Sequence, residues 1–245
     1  MSRAIEQRDL LTGTPSIART EAGRWISWAA FVYVVAWVLG LAIGFGTGAP
    51  GPLDSPQTIT TYYSQHRQLA MLQAYLVDGV AGIALVVFGA GLWSAFSPLE
   101  GERRPGASVV LGMAIVAGAV SLVQGLFTQV LADHLAASGD ATVIRTLYDL
   151  NTEGDTYKLL AVGVFLVAVA LFIFRTHALP VWLAWLAVVL GPLLMVAGWT
   201  FLVPEGAQYV AYAILLVVLL VWVAAVGVVC SDLRPAAGQR SDVQR

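Results

Sequence analysis

LAMLQAYLVDGVAGIALVVFGAGLWSA, residues 69–95, is the stretch on which the fold of this chain turns. It is apolar for longer than the roughly 18 residues that mark a membrane-spanning helix, yet it carries a carboxylate, Asp78. Asp78 follows Leu69 by about nine residues, so a helix would hold it roughly 13 Å from that end. An ionisable group at such a depth costs about 2.5–3.5 kcal/mol on insertion scales, and such groups turn toward a bundle interior. No other charged side chain is read as lying well inside an apolar run.

The rest of the chain has the same character. Of its 245 residues 58% are hydrophobic and 11% charged, with a mean hydropathy of +0.78, whereas soluble domains carry about 25% charged residues. Six segments qualify as spans: 25–46, 69–95, 107–130, 157–174, 180–203 and 208–229. The expected fold is an all-α, six-helix transmembrane bundle. The first segment exceeds the roughly 7–15 residues of a signal-peptide core and no small-residue cleavage site follows, so it is read as a retained helix. Residues 1–24 and 231–245 are expected to be disordered cytoplasmic tails. A net charge of −2 argues for neither nucleic acid nor an acidic surface as partner. Lys158 is the sole lysine among thirteen basic residues, an arginine bias associated with GC-rich bacterial genomes.

Charge placement sets the orientation. Arg3, Arg8, Arg19, Arg24, Arg103, Arg104, Arg175, Arg234, Arg240 and Arg245 fall on one side, and Arg67, Arg145 and Lys158 on the other. By the excess of basic residues in cytoplasmic loops, both termini are expected inside a bacterial cytoplasmic (plasma) membrane. Tyr62, Tyr63, Tyr157, Trp199, Tyr209 and Tyr212 would then mark the outer interface.

Two outer loops are long enough for structure of their own. Ser55 or Thr58 can start a short helix through Tyr62-Tyr63 and His66-Arg67, and Val143, Leu147 and Leu150 repeat at helical spacing. Both read as short interfacial helices. Gly191-Pro192 is expected to kink the fifth span. The fourth and sixth spans, rich in Leu, Val and Ala, read as peripheral and lipid-facing, which leaves the polar interior to spans 1, 2, 3 and 5.

Ala70, Ala74, Asp78 and Gly82 recur every four residues and form one stripe, with a counterpart in Ala114, Gly118, Ser121, Gly125 and Thr128 on the third span. Small residues let membrane helices approach closely, so the two stripes are expected to pack. Asp78 would then hydrogen-bond Ser121, Gln124 or both. Lys158 reads as the nearest cation, a turn or two above. With no cation at its own level, Asp78 reads as a neutral hydrogen-bond donor. Asp78, Ser121, Gln124, Thr128 and Lys158 are thus the candidates for ligand or proton binding.

Reactive signatures are scarce. His66, Asp133 and His134 share one face and could, with Asp54 or Asp140, give a two-histidine, one-carboxylate metal site, while His177 is on the other side. Glu153-Gly154-Asp155 reads as a solvated turn. The sequence holds no nucleophile elbow, phosphate loop, paired-cysteine motif or dinucleotide-binding glycine pattern, and no cofactor is expected. Cys230, the sole cysteine, excludes an intrachain disulfide.

The stretch 59–67 (ITTYYSQHR) and the turn 172–183 (FIFRTHALPVWL), together with the arginine-bearing tail, resemble a bacterial multi-pass integral membrane family, domain of unknown function 4386. The resemblance covers roughly residues 25–229 and implies a helical membrane fold without supplying catalytic residues. Members often carry a basic residue after the Leu-Pro pair, where this chain has Val181. The function that follows first is non-enzymatic: a sensor, scaffold or membrane-stress accessory, in contact with lipid and with room on its glycine-rich faces for a homodimer or a membrane-protein partner. A small proton- or solute-coupled transporter or channel using Asp78 is the alternative. An outer-face metal-dependent hydrolase using His66 and His134 is the third reading.

Overall fold

The computed structural model describes residues 21–100, 105–135, 140–198 and 207–232. The expected disordered tails and the basic loop at 101–104 fall almost wholly outside those residues. The described chain runs α1 (Glu21–Thr47), α2 (Pro56–Gln65), α3 (Arg67–Ala74), α4 (Ala81–Glu100), α5 (Gly106–Val130), α6 (Ala141–Thr176), α7 (Val181–Gly198) and α8 (Ala207–Asp232). A π-helical segment, Tyr75–Val80, joins α3 to α4, and another, Leu131–Leu135, extends α5. Six of the resulting spans are long and apolar enough to cross a membrane: Glu21–Thr47, Arg67–Leu99, Gly106–Asp133, Ala141–Thr176, Val181–Gly198 and Val210–Ser231. The chain is a multi-pass helical membrane protein.

Apolar residues cover both faces of these helices because lipid, like a protein core, offers no partner to a backbone polar group, so the helix satisfies its own. On α7, Trp182, Trp185, Val189, Leu193 and Val196 are all exposed. Such a stripe would be a liability in water and is ordinary against acyl chains. Local chemistry fixes the helix ends. Ser55 caps α2 by accepting from the Thr58 amide, with Pro56 in the first turn. Asp140 caps α6 by accepting from the amides of Thr142 and Val143. His177, in the left-handed region at φ 51°, closes α6.

The spans form a ring in chain order: α1 packs on α4, α4 on α5, α5 on α6, α6 on α7, α7 on α8, and α8 back on α1. Two sequence expectations change as a result. α6 is the most enclosed span, with 61% of its apolar window buried against 33–44% in the others, and α8 sends Trp222 into the core, fully buried. Neither is peripheral. A featureless apolar sequence fits a lipid face and a packed core equally well, so composition alone could not separate the two.

The second change concerns the third outer loop. Residues 141–156 do not form a separate surface helix; they are the first turns of the 36-residue α6, about 54 Å long against a hydrocarbon core of about 30 Å. Between Asp140 and Lys158 there is no proline and a single glycine, Gly154, which is too little to break the helix. The spacing read as membrane-facing leaves Val143 and Leu150 exposed, whereas the neighbouring Ile144 and Tyr148, with Leu147 against them, pack with Ile59, Tyr62 and Tyr63 in a second core. This core sits at the end of the ring remote from Glu21 and Asp232, hereafter the distal end.

Candidate functional site

The small-residue stripes meet. A Cβ added to Gly82 would come within 3.0 Å of the Ser121 Cβ, and one added to Gly125 within 3.1 Å of the Asp78 Cβ. Helix–helix contact this close sets Asp78 directly against α5. Asp78 also lies in the π segment, where the Ala81 amide reaches back to the Leu76 carbonyl, five residues away. Such single-turn widenings of a helix concentrate at functional sites.

Asp78 does not bond Ser121 or Gln124 as expected; its partner is Lys158. The Lys158 ammonium donates to Asp155 Oδ1 at 2.7 Å and to Gln124 Oε1 at 2.8 Å, and lies 3.9 Å from Asp78 Oδ1. It is also 5.9 Å from the centre of the Trp37 ring. The Gln124 amide completes the network by donating to the Asn151 carbonyl at 2.7 Å and to Asp155 at 3.1 Å. Asp78 and Lys158 side chains are only 12% and 10% exposed. The cation judged to lie above Asp78 is therefore beside it, and supplies the countercharge missing from the neutral-donor reading.

The network is uneven. Lys158 has two short hydrogen bonds, whereas at 3.9 Å Asp78 is an ion partner without a hydrogen bond to it. Asp78 turns instead to a cavity of about 170 Å³ at the distal end, lined also by Tyr62, Tyr63, Gln73, Thr128, Tyr148 and Asn151. Ala49 and Pro50, in the loop between α1 and α2, contribute to the same wall. That loop is tied down by α6: Tyr148 donates its hydroxyl to the Pro50 carbonyl at 2.7 Å, and Arg145 donates to the carbonyls of Pro52 and Asp54 at 2.9 and 2.8 Å. Burial pushes the Tyr63 phenol well above its ordinary range. Its hydroxyl is thus a neutral part of the wall.

Below Lys158 a second void, of about 20 Å³, is bounded by Tyr33, Gly82, Ser121 and Tyr212 among others, enough for one water. Deeper still, Phe88, Phe165 and Trp222 meet with ring centres 6.2–6.4 Å apart. They come from α4, α6 and α8, alternate members of the ring, so they fill its axis. Along that axis the order is cavity, ion network, void and aromatic plug.

Of the sequence candidates, Asp78, Gln124, Thr128 and Lys158 converge at the cavity and its network, while Ser121 borders the void. Asn151, Tyr33, Trp37 and Tyr148 escaped the sequence reading, which placed Asp155 in a solvated turn and Tyr212 at the membrane interface. One signal was available for Asp155: it precedes Lys158 by three residues, an ion-pair spacing on a helix. A Cβ on Gly154 would come within 3.0–3.1 Å of Gln124, so the acidic segment is packed and not a solvated turn. The metal candidates are otherwise engaged. Arg67 pairs with Asp133, His66 lies against Tyr62 at 5.3 Å between rings, and Asp54 accepts from the Gly51 amide. The side chain of His134 lies outside the described residues, among which no group of three or more metal-binding side chains occurs. No family model, curated protein or solved structure matches the chain.

Proposed function

We propose that the chain is a small solute carrier of a bacterial cytoplasmic membrane, with both termini inside and the distal cavity open to the outside. The observation that carries this reading is Asp78 itself: a carboxylate within a membrane span, on a π turn, bordering a cavity and only partly neutralised by Lys158. A residue that merely fixed helix packing would be expected to bury its carboxylate in hydrogen bonds. The axial series supports carriage over sensing, because a void and an aromatic plug lie on the line between the cavity and the other face. The second span carries a π turn (Tyr75–Val80) and the fifth an internal proline, Pro192, irregular points in the middle span of each three-span half, where secondary transporters place their broken helices. The arginine distribution supports the orientation, and kinship with the multi-pass family is part of the same proposal.

Two-sided access is the test. Thr128→Cys, placed in the cavity wall of a Cys230→Ala background, is labelled with a membrane-impermeant thiol reagent in right-side-out and in inverted vesicles. A carrier gives reaction from both faces. Reaction from the outside alone would replace the carrier with a receptor, and no reaction from either would remove the cavity from function.

A further inference from the structure

We infer that the distal cavity binds a small organic cation, an alkylammonium or a guanidinium, with Asp78 as its counterion. The inference rests on the reading of this cavity as the solute site and assigns its ligand class. Asp78 is the only charged residue among the described residues that line the cavity. The one ammonium nearby, on Lys158, is already committed to Asp155 and Gln124 and is not part of the wall, so an anionic ligand would meet a carboxylate and no cation. Asn151 Oδ1 is buried without a hydrogen-bond partner, an acceptor waiting for a donor in the same wall.

Two of the three tyrosine hydroxyls in that wall are engaged. Tyr62 shares a hydrogen bond with Thr47 at 3.0 Å and Tyr148 donates to Pro50. The tyrosines thus present aromatic surface more than donors, and rings attract organic cations through their quadrupoles. Size sets the upper limit. A cavity near 150 Å³ holds a benzene-sized ligand, so about 170 Å³ admits roughly six non-hydrogen atoms. A bare metal ion would leave most of that volume unfilled and would lack the ring of oxygen ligands it requires.

The test uses the full chain in lipid nanodiscs at constant ionic strength. Binding of propylammonium, tetramethylammonium, sodium and propionate is followed by calorimetry and by the fluorescence of Trp37 beside the network. Saturable binding of the two organic cations is expected, without a response to sodium or propionate. Asp78→Asn is expected to weaken it about tenfold or more, and Asn151→Ala, which leaves the ion network intact, about threefold for propylammonium with little change for tetramethylammonium, which has no N–H to donate. Preference for propionate, equal response to sodium, or unchanged affinity in both variants would overturn the inference; if Asp78→Asn does not fold, Asn151→Ala decides. Cation binding with one-sided access at residue 128 would retain the ligand class and reject carriage. Two-sided access without cation binding would do the reverse.

Discussion

Lys158 and Asp78 form an ion pair, but the two residues are held by different means. Lys158 is the donor to Asp155 and Gln124, so Lys158→Met leaves the buried Asp78 carboxylate without a countercharge and the buried Gln124 oxygen without its donor. Breaking a buried pair in this way costs about 3–5 kcal/mol, measured by thermal or denaturant unfolding in detergent. Asp78→Asn removes no hydrogen bond to Lys158 and is expected to cost less than about 1 kcal/mol in the same assay. A loss for Asp78→Asn equal to that for Lys158→Met would make Asp78 a packing residue. The sequence exposed one partner and hid the other for a physical reason. Asp78 is conspicuous because apolar residues surround it on both sides. Asp155 and Lys158 sit beside Glu153, Asn151 and Asp149, so their surroundings look like a solvated loop until the helix that carries them is known to begin at Ala141.

At the scale of elements, close backbone approach and side-chain ties replace the hydrophobic effect, which does not distinguish lipid from core. Gly163 and Gly191 bring α6 and α7 together, and a Cβ on either would lie 2.6 or 2.8 Å from the opposing carbonyl oxygen. Gly163→Val or Gly191→Val should cost about 1–3 kcal/mol through overpacking. Gly112→Ala, with nothing within 4 Å of the added carbon, should be neutral or slightly stabilising. Comparable losses at all three positions would show that the contact between α6 and α7 is not as close as described. The strap over the cavity is separable from the bundle. Arg145→Ala releases the carbonyls of Pro52 and Asp54 and should speed hydrogen exchange in residues 49–55 while leaving α4 and α5 unchanged. The span periods were readable in the sequence because helix length and hydropathy determine them. The π turn was not, since 75–80 (YLVDGV) has the composition of an ordinary span and only tertiary contact selects the wider turn.

For the whole molecule, chain order becomes spatial order: the six spans follow one another around the ring and α1 closes it against α8. That closure puts Phe88, Phe165 and Trp222 on the axis, and sequence reasoning had no access to it, because nothing in Leu- and Val-rich spans says which face is turned inward. Trp222 also anchors α8 to α7 by donating its indole N–H to the Leu183 carbonyl at 2.9 Å. Phe165→Ala, which opens the plug without touching that bond, is expected to make proteoliposomes leak protons, read with an entrapped pH-sensitive dye. Wild-type tightness in that variant would remove the plug from the permeation line. The central claim, that Asp78 is the binding centre of a carrier, is tested most directly by uptake of radiolabelled methylammonium into proteoliposomes bearing the wild-type chain or Asp78→Asn. Saturable uptake by the wild type, lost in a folded Asp78→Asn variant, is the expected result; equal uptake by both, or none above protein-free vesicles, would contradict it.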